Sequence, residues 1–470
     1  MTEQTAPTET TAAESLRDED GALRPHFVEA VETAIFAGDA QRLRELAGEL
    51  HEADLGDLVE ALAPESRPKL VELMGGDFDF AALNEVPDAV RDEILEELPT
   101  ETVAEGVSEL ESDDAVAILE DLDREEQAEI LEAMPAPERR ALQRSLDYPE
   151  KSAGRLMQTT FVGAPPTWTA GQTLDHLREG DQDALPDSFF EVFVVEPDRK
   201  FLGTVFLDVL ARARRSAPLS DIMLADRRRV RVDEDEEEVA RMFERYNLVS
   251  TPVVDANDRL VGVITIDDIV DVIQEAADED IKALGGVSRR EEIADPVLAI
   301  ARSRFVWLFV NLITAFLASS VLGLFQGSLQ KMVALAILAP IVASQGGQAA
   351  TQTMTVAVRA LATKELSRSN ALWIIFREFL VGLLNGLAFG VVTGLAAAAW
   401  FGIGALGFLI AAAMLTNMIA AAFGGILVPL ALEKLGVDPA VSSGAFVTTV
   451  TDVVGYFSFL SFATLYFGLR

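Results

Sequence analysis

The last third of the chain is built from long runs without charge, covering residues 305–330, 332–358, 379–432 and 439–469. A membrane-spanning helix needs about 20 apolar residues. The 54-residue run is too long for one span, and "GIGALG" at 402–407 divides it. Five spans are predicted. The last run is interrupted once, by Asp452 in "FVTTVTDVVGYFSF". A carboxylate at the centre of a lipid-spanning helix costs at least about 2.5–3.5 kcal/mol, so it must face a partner or a pathway rather than lipid.

The first 300 residues follow other rhythms. "LVEALAPESRPKLVELM" (58–74) resembles "ILEDLDREEQAEILEAM" (118–134), and "ILEELPTETVAEGVSEL" lies between them. Short helices joined by Pro- and Asp-marked turns predict an all-α superhelix of hairpins over 24–150. From 151 to 267 the pattern changes to paired strands. "FVVEPDRKFLGTVFL" and "PVVDANDRLVGVITI" each read as strand, polar turn and strand, with a helix before and another after. Two such α/β units resemble tandem CBS domains. Residues 268–300 are predicted to form an acidic connecting helix and a linker, leading to the five-span region at 301–470. Residues 1–23 lack both a basic and an apolar segment, and read as a disordered tail rather than a signal peptide.

Charge separates these halves. Residues 301–470 hold nine bases and five acids, which leaves a net charge of −42 on residues 1–300. A front this acidic argues against a nucleic-acid partner and for cations. With no cysteine, thiolate metal sites and cysteine nucleophiles are excluded. Bases cluster around the loops that flank the first, second and fifth spans on one side, which predicts a cytoplasmic front and an external C-terminus.

Two spans carry polar stripes. In "APIVASQGGQAATQTMTVAVRALATKEL", Ser344, Gln348, Thr351 and Thr355 share one helical face, with Gln345 and Gln352 beside it. On the fifth span Thr448 and Thr449 lie a turn before Asp452. The alternative for Asp452 is burial against Arg377, the only arginine candidate in a span, which lies near the cytoplasmic end of the third with Glu378 adjacent.

The order of domains, together with "PIVASQGGQAATQT", "RALATKEL", "GVDPA" and "TTVTDVVGYF", resembles the MgtE family of magnesium channels. That resemblance implies a homodimer in the plasma (bacterial inner) membrane, with its pore on the two-fold axis between the second and fifth spans. It implies Mg²⁺ as both substrate and regulator, with Asp452 binding the permeating ion and Gln348, Thr351, Gln352, Thr448 and Thr449 lining its path. Acids of the front and the connecting (plug) helix, including Asp268, Asp271, Glu275, Asp278 and Glu279, together with Asp438 of "GVDPA", would bind regulatory Mg²⁺ and close the pore. Some members bind ATP between CBS domains, and Thr265 and Asp268 have ribose-binding spacing in the second copy. Where the family has Gly-Gly-Asn-x-Gly, this chain has Gly346-Gly347-Gln348-Ala349-Ala350, which adds bulk at two positions. No Walker A motif is present, and no enzyme activity is expected. A cation-coupled secondary transporter and a membrane-anchored CBS nucleotide sensor are the competing readings. A pure sensor has no use for a carboxylate at mid-membrane.

Overall fold

The computed structural model describes residues 16–18, 21–180, 185–186, 188–225, 228–289, 291, 296–366 and 370–469. Most of the expected tail, and Arg290, Arg368 and Arg470 of the charge pattern, lie outside the described residues. The chain divides into two compact units, Met1–Ala276 and Ala277–Arg470.

The first unit opens with short α-helices from Pro25–Ala37 to Ala136–Leu146. They run from 8 to 13 residues, about two to four turns, too short to be stable alone. They share one core that includes Leu43, Leu58, Leu70, Ile94, Ile118 and Leu119. Proline at the residue before a helix or in its first turn recurs through the array and restarts the chain after each bend. Arg17, within the expected tail, pairs with Asp54 and with Asp57 (2.7 Å) and bridges to Leu23.

Two three-stranded sheets follow, ordered β1-β2-β3 and β4-β5-β6. Strands β1 (Gly163–Ala164), β2 (Glu191–Val195) and β3 (Phe201–Phe206) make the first, and β4 (Val230–Arg231), β5 (Ser250–Val254) and β6 (Leu260–Thr265) the second. The hairpins β2–β3 and β5–β6 are those the sequence predicts, each with a register shift one residue before its turn. The two-residue parallel strands β1 and β4 were not predicted. Helices Ala170–Glu179 and Glu236–Tyr246 precede the hairpins, which completes the tandem α/β repeat.

The connecting helix is Ile266–Leu284, a little earlier than predicted, and the division between units falls within it. Among the described residues the second unit contains five helices long and apolar enough to cross a membrane: Val297–Leu324, Val333–Ala362, Ala371–Phe401, Gly404–Lys434 and a fifth within Pro439–Phe467. Arg302 and Arg304, expected before the first span, lie in that helix's first two turns. Gly402, at φ 68°, makes the predicted break between the third and fourth spans.

Those two spans meet along a seam of glycines. Gly382, Gly386, Gly390 and Gly394 are all buried. A Cβ on each would come within 2.7–2.9 Å of Met418 O, Leu415 Cδ1, Ala411 O or Gly407 O of the fourth span. Only hydrogen fits there, so the two backbones pack in direct contact.

Candidate ion pathway and regulatory acids

The second and fifth spans run antiparallel. A Cβ on Gly455 would lie 3.3 Å from Ala343 Cα, and one on Gly347 would lie 3.9 Å from Thr451 Oγ1. This register sets Asp452 level with Gly346, near the middle of both helices. Thr451 and Gly455 are buried toward the bundle interior. Asp452 turns off that seam and is half-buried. Among the described residues no base pairs with it. Arg377, the partner considered from sequence, bonds Glu378 at 2.9 Å, and Glu378 also accepts from Thr353.

Ser344, Gln348, Thr351, Gln352 and Thr355 are exposed along one face of the second span, as the periodicity predicts. Thr448 and Thr449 are half-buried on the fifth. The threonine hydroxyls are oriented by their own helices. Thr351 donates to Gly347 O (3.0 Å), Thr355 to Thr351 O (3.0 Å), Thr448 to Gly444 O (2.8 Å) and Thr449 to Ala445 O (2.6 Å). Each proton is held by a carbonyl, so the oxygen offers only lone pairs to whatever faces it. Such a surface suits a ligand that donates hydrogen bonds, as the waters of a hydrated cation do.

The bulk at positions 348 and 350 separates into two cases. Gln348 is exposed on the polar face. Ala350 is fully buried among Met354, Val358, Ala421 and Val447, so its methyl group fills packing space rather than the exposed face.

The same cluster receives Ala283 and Leu284, the last turn of the connecting helix. Glu279, one turn earlier, is buried and accepts from Arg289 at 2.9 Å. Arg289 also pairs with Asp438. Asp438 caps the fifth span by accepting from Ala440 N at 2.8 Å. Glu279 and Asp438 are thus joined through a guanidinium that sequence reasoning did not anticipate. Asp280 beside them is raised in pKa by burial and by the charge of Asp438, while Arg289 opposes the shift. Asp278 is exposed.

In the first unit the acids are less well compensated. Asp113 is 6% exposed, and among the described residues no side chain bonds its carboxylate; the Asp114 backbone offsets its burial only weakly. Its pKa stands well above the ordinary value, through burial first and then the charges of Asp268, Asp114 and Glu111. Asp268 accepts from Thr265 Oγ1 at 2.9 Å, yet burial and the charge of Asp267 raise it to about 7. Burial lifts Asp114 to about 6 against its hydrogen bond from Asn84. Asp271 is raised by burial and by Asp267, and Glu275 lies 3.8 Å from Lys151. Among the described residues no three acids or histidines converge closely enough to hold a metal ion. The predicted ligands Asp268, Asp271, Glu275, Asp278 and Glu279 are spread along one helix, and the structure does not gather them.

A bundle of five membrane-length helices with a mid-span carboxylate and a hydrogen-bond-accepting polar face, attached to an acidic N-terminal half, has the features of a membrane transporter for cations. Residues 339–462 match the MgtE divalent cation transporter model, 50–151 the MgtE intracellular N domain and 219–275 the CBS domain. The magnesium transporter MgtE of Bacillus subtilis (strain 168) is 30% identical over 317 residues, spanning 67% of this chain and 69% of that protein. Its counterpart in Thermus thermophilus is 34% identical over 316 residues, with the same coverage. A solved soluble part of a magnesium transporter aligns with 54% of this chain and 98% of its own, at 25% identity and a TM-score of 0.49. The chain belongs to the MgtE family, whose members are membrane transporters and not enzymes.

Proposed function

We propose that this protein imports Mg²⁺ across the bacterial plasma membrane, as a homodimer whose pore forms where the second and fifth spans of two copies meet. The observation that carries this reading is Asp452, a mid-span carboxylate without a basic partner among the described residues, beside an exposed face of amides and hydroxyl lone pairs. Mg²⁺ sheds water reluctantly and takes oxygen ligands in octahedral geometry. Two Asp452 side chains facing across the axis balance its charge, while Gln348, Thr351, Gln352, Thr448 and Thr449 accept hydrogen bonds from its waters. The membrane potential supplies the force, roughly 4.6 kcal/mol for two charges across 100 mV. This is channel transport.

Regulation belongs to the same proposal. Asp113 and Asp268, with Asp114 and Asp271 nearby, would hold regulatory Mg²⁺ once their side chains converge. The buried carboxylate of Asp113, bonded by no side chain among the described residues, is the feature that fits such an ion. The acids of the connecting helix would continue the set through Glu275, Asp278 and Glu279. The helix end at Ala283 and Leu284, seated against the second, fourth and fifth spans, is the element that shuts the pore. ATP at the CBS pair would engage Thr265 and Asp268 and so compete with the metal for Asp268.

Asp452→Asn keeps shape and removes charge. In liposomes at subsaturating Mg²⁺ its flux should fall at least tenfold, and wild-type flux would remove Asp452 from the pathway.

A further inference from the structure

Asn417 of the fourth span is fully buried at the level where the second and fifth spans cross. Its Nδ2 donates to Val342 O of the second span at 2.7 Å. That carbonyl already faces Gly346 N–H in the helix ladder, so the amide adds a second, interhelical bond to it. Its Oδ1 has no partner among the described residues. Glycines open the space it fills. A Cβ on Gly346 would lie 2.0 Å from Nδ2, and one on Gly455 would lie 2.8 Å from the same atom. One side chain therefore touches three spans, at the level of Asp452 on the fifth and two residues before Gln348 on the second.

We propose that Asn417 is a positioning residue for transport, which locks the rotation and axial register of the second and fifth spans so that Asp452 and the Gln348 face present to the same pathway. The proposal rests on the pore reading above and adds to it the element that sets the pore's geometry. A helix in lipid has no hydrophobic drive to choose one rotation over another, so small residues and interhelical hydrogen bonds decide it. The junction supplies both. Gly346 and Gly455 let the helices close on Asn417, and the bond to Val342 O selects one rotation of the second span. A rotation of the second span by one residue, 100°, would turn the face shared by Gln348 and Thr351 away from Asp452.

The alternative is that Asn417 merely fills space, and this predicts a different result. A buried polar group of no functional consequence is replaced by a similar-sized apolar one with little loss. Full-length protein reconstituted in liposomes should show Asn417→Leu and Asn417→Ala with dimer size and melting temperature near wild type. Maximal Mg²⁺ flux should fall at least tenfold, or half-saturation should rise tenfold, with selectivity over Ca²⁺ reduced.

Gly346→Ala gives a second, independent measurement. Alone it should abolish most flux, because its Cβ occupies the place of Nδ2. Combined with Asn417→Ala, which removes the clashing amide, it should recover at least threefold over Gly346→Ala alone. Wild-type flux and half-saturation in Asn417→Leu, or a double variant no better than Gly346→Ala, would overturn the proposal. If Asn417→Leu does not fold, the Ala pair decides it. Asp452→Asn measured alongside separates the two readings. Loss there with normal Asn417→Leu refutes the junction alone. Normal Asp452→Asn with loss in Asn417→Leu refutes the pore assignment and leaves Asn417 a determinant of transport.

Discussion

Asp113→Asn should make the acidic half more stable in the absence of divalent ions, and less responsive to them. Asp113 and Asp268 both have pKa values raised in the folded protein, chiefly by burial. The folded state therefore holds protons that the unfolded chain releases. Stability from this source is complete below about pH 4 and is lost as pH rises through about 7. The displacement of Asp268 from 3.8 to about 7 corresponds to roughly 4 kcal/mol between its two protonation states. That displacement comes from burial and Asp267. The charge of Asp268 acts instead on Asp113, second only to burial. A like-charge pair at an effective dielectric of about 20 costs ~1–2 kcal/mol once both are ionised at pH 8. Replacing Asp113 by the isosteric amide removes one of the opposed charges. Scanning calorimetry of the full chain in nanodiscs, with chelator at pH 8, should show the first transition rise by about 3–6 °C. At pH 6 the gain should shrink. Millimolar Mg²⁺ should raise the wild-type transition at pH 8 and leave the variant nearly unmoved, since the bridged pair is gone. A variant no more stable than wild type at pH 8, or one with the full Mg²⁺ response, would refute the reasoning.

Asp438→Asn retains the cap on Ala440 N but loses the charge that Arg289 grips, so flux at millimolar Mg²⁺ should be inhibited less than in wild type; patch-clamp or liposome flux reads this directly. Limited proteolysis of residues 1–285 in the intact protein should slow with Mg²⁺ but not with K⁺ at matched ionic strength. Equal protection by both salts would reduce the acidic front to simple screening. Gly390→Val should weaken the third and fourth spans' seam by at least ~1–3 kcal/mol, because its Cβ would lie 2.9 Å from Ala411 O. Unfolding in mixed detergent should show the loss, and wild-type resistance would mean the backbones are free to separate.

Contrast determines which features the sequence reveals. Asp452 stands out because nothing else in residues 439–469 is charged, and in the structure it is half-buried with no base paired to it among the described residues. Both β-hairpins could be read because apolar strands flank polar turns, whereas β1 and β4 have two residues each and no alternation to detect. Asp113 was missed for the opposite reason: it is one acid among 71 in the front, and only three-dimensional packing removes its solvent. Its signal is weak but present, since Asp113 and Val116 are three residues apart on the helix Ser112–Glu120 and both are buried. Asn417 satisfied the logic applied to Asp452, being a lone amide in "AAAMLTNMIAAAF", and it was passed over because an amide costs less in lipid than a carboxylate. Arg289 and Asp438 lie 149 residues apart, and no local pattern joins them.

The glycine seam also bears on how the protein is made. Its two helices are connected by Gly402 and Ile403 alone, so the third and fourth spans leave the ribosome as neighbours with no slack between them. Contacts between backbones need no partner chain and no distant segment. The pair can close as a hairpin in the bilayer as soon as residue 434 has entered, before the fifth span exists. The segment carrying Asp452 follows, onto a wall that already presents Asn417. Pairing of the third and fourth spans can thus precede the entry of the chain's most costly membrane residue, whose groove is in place before it arrives.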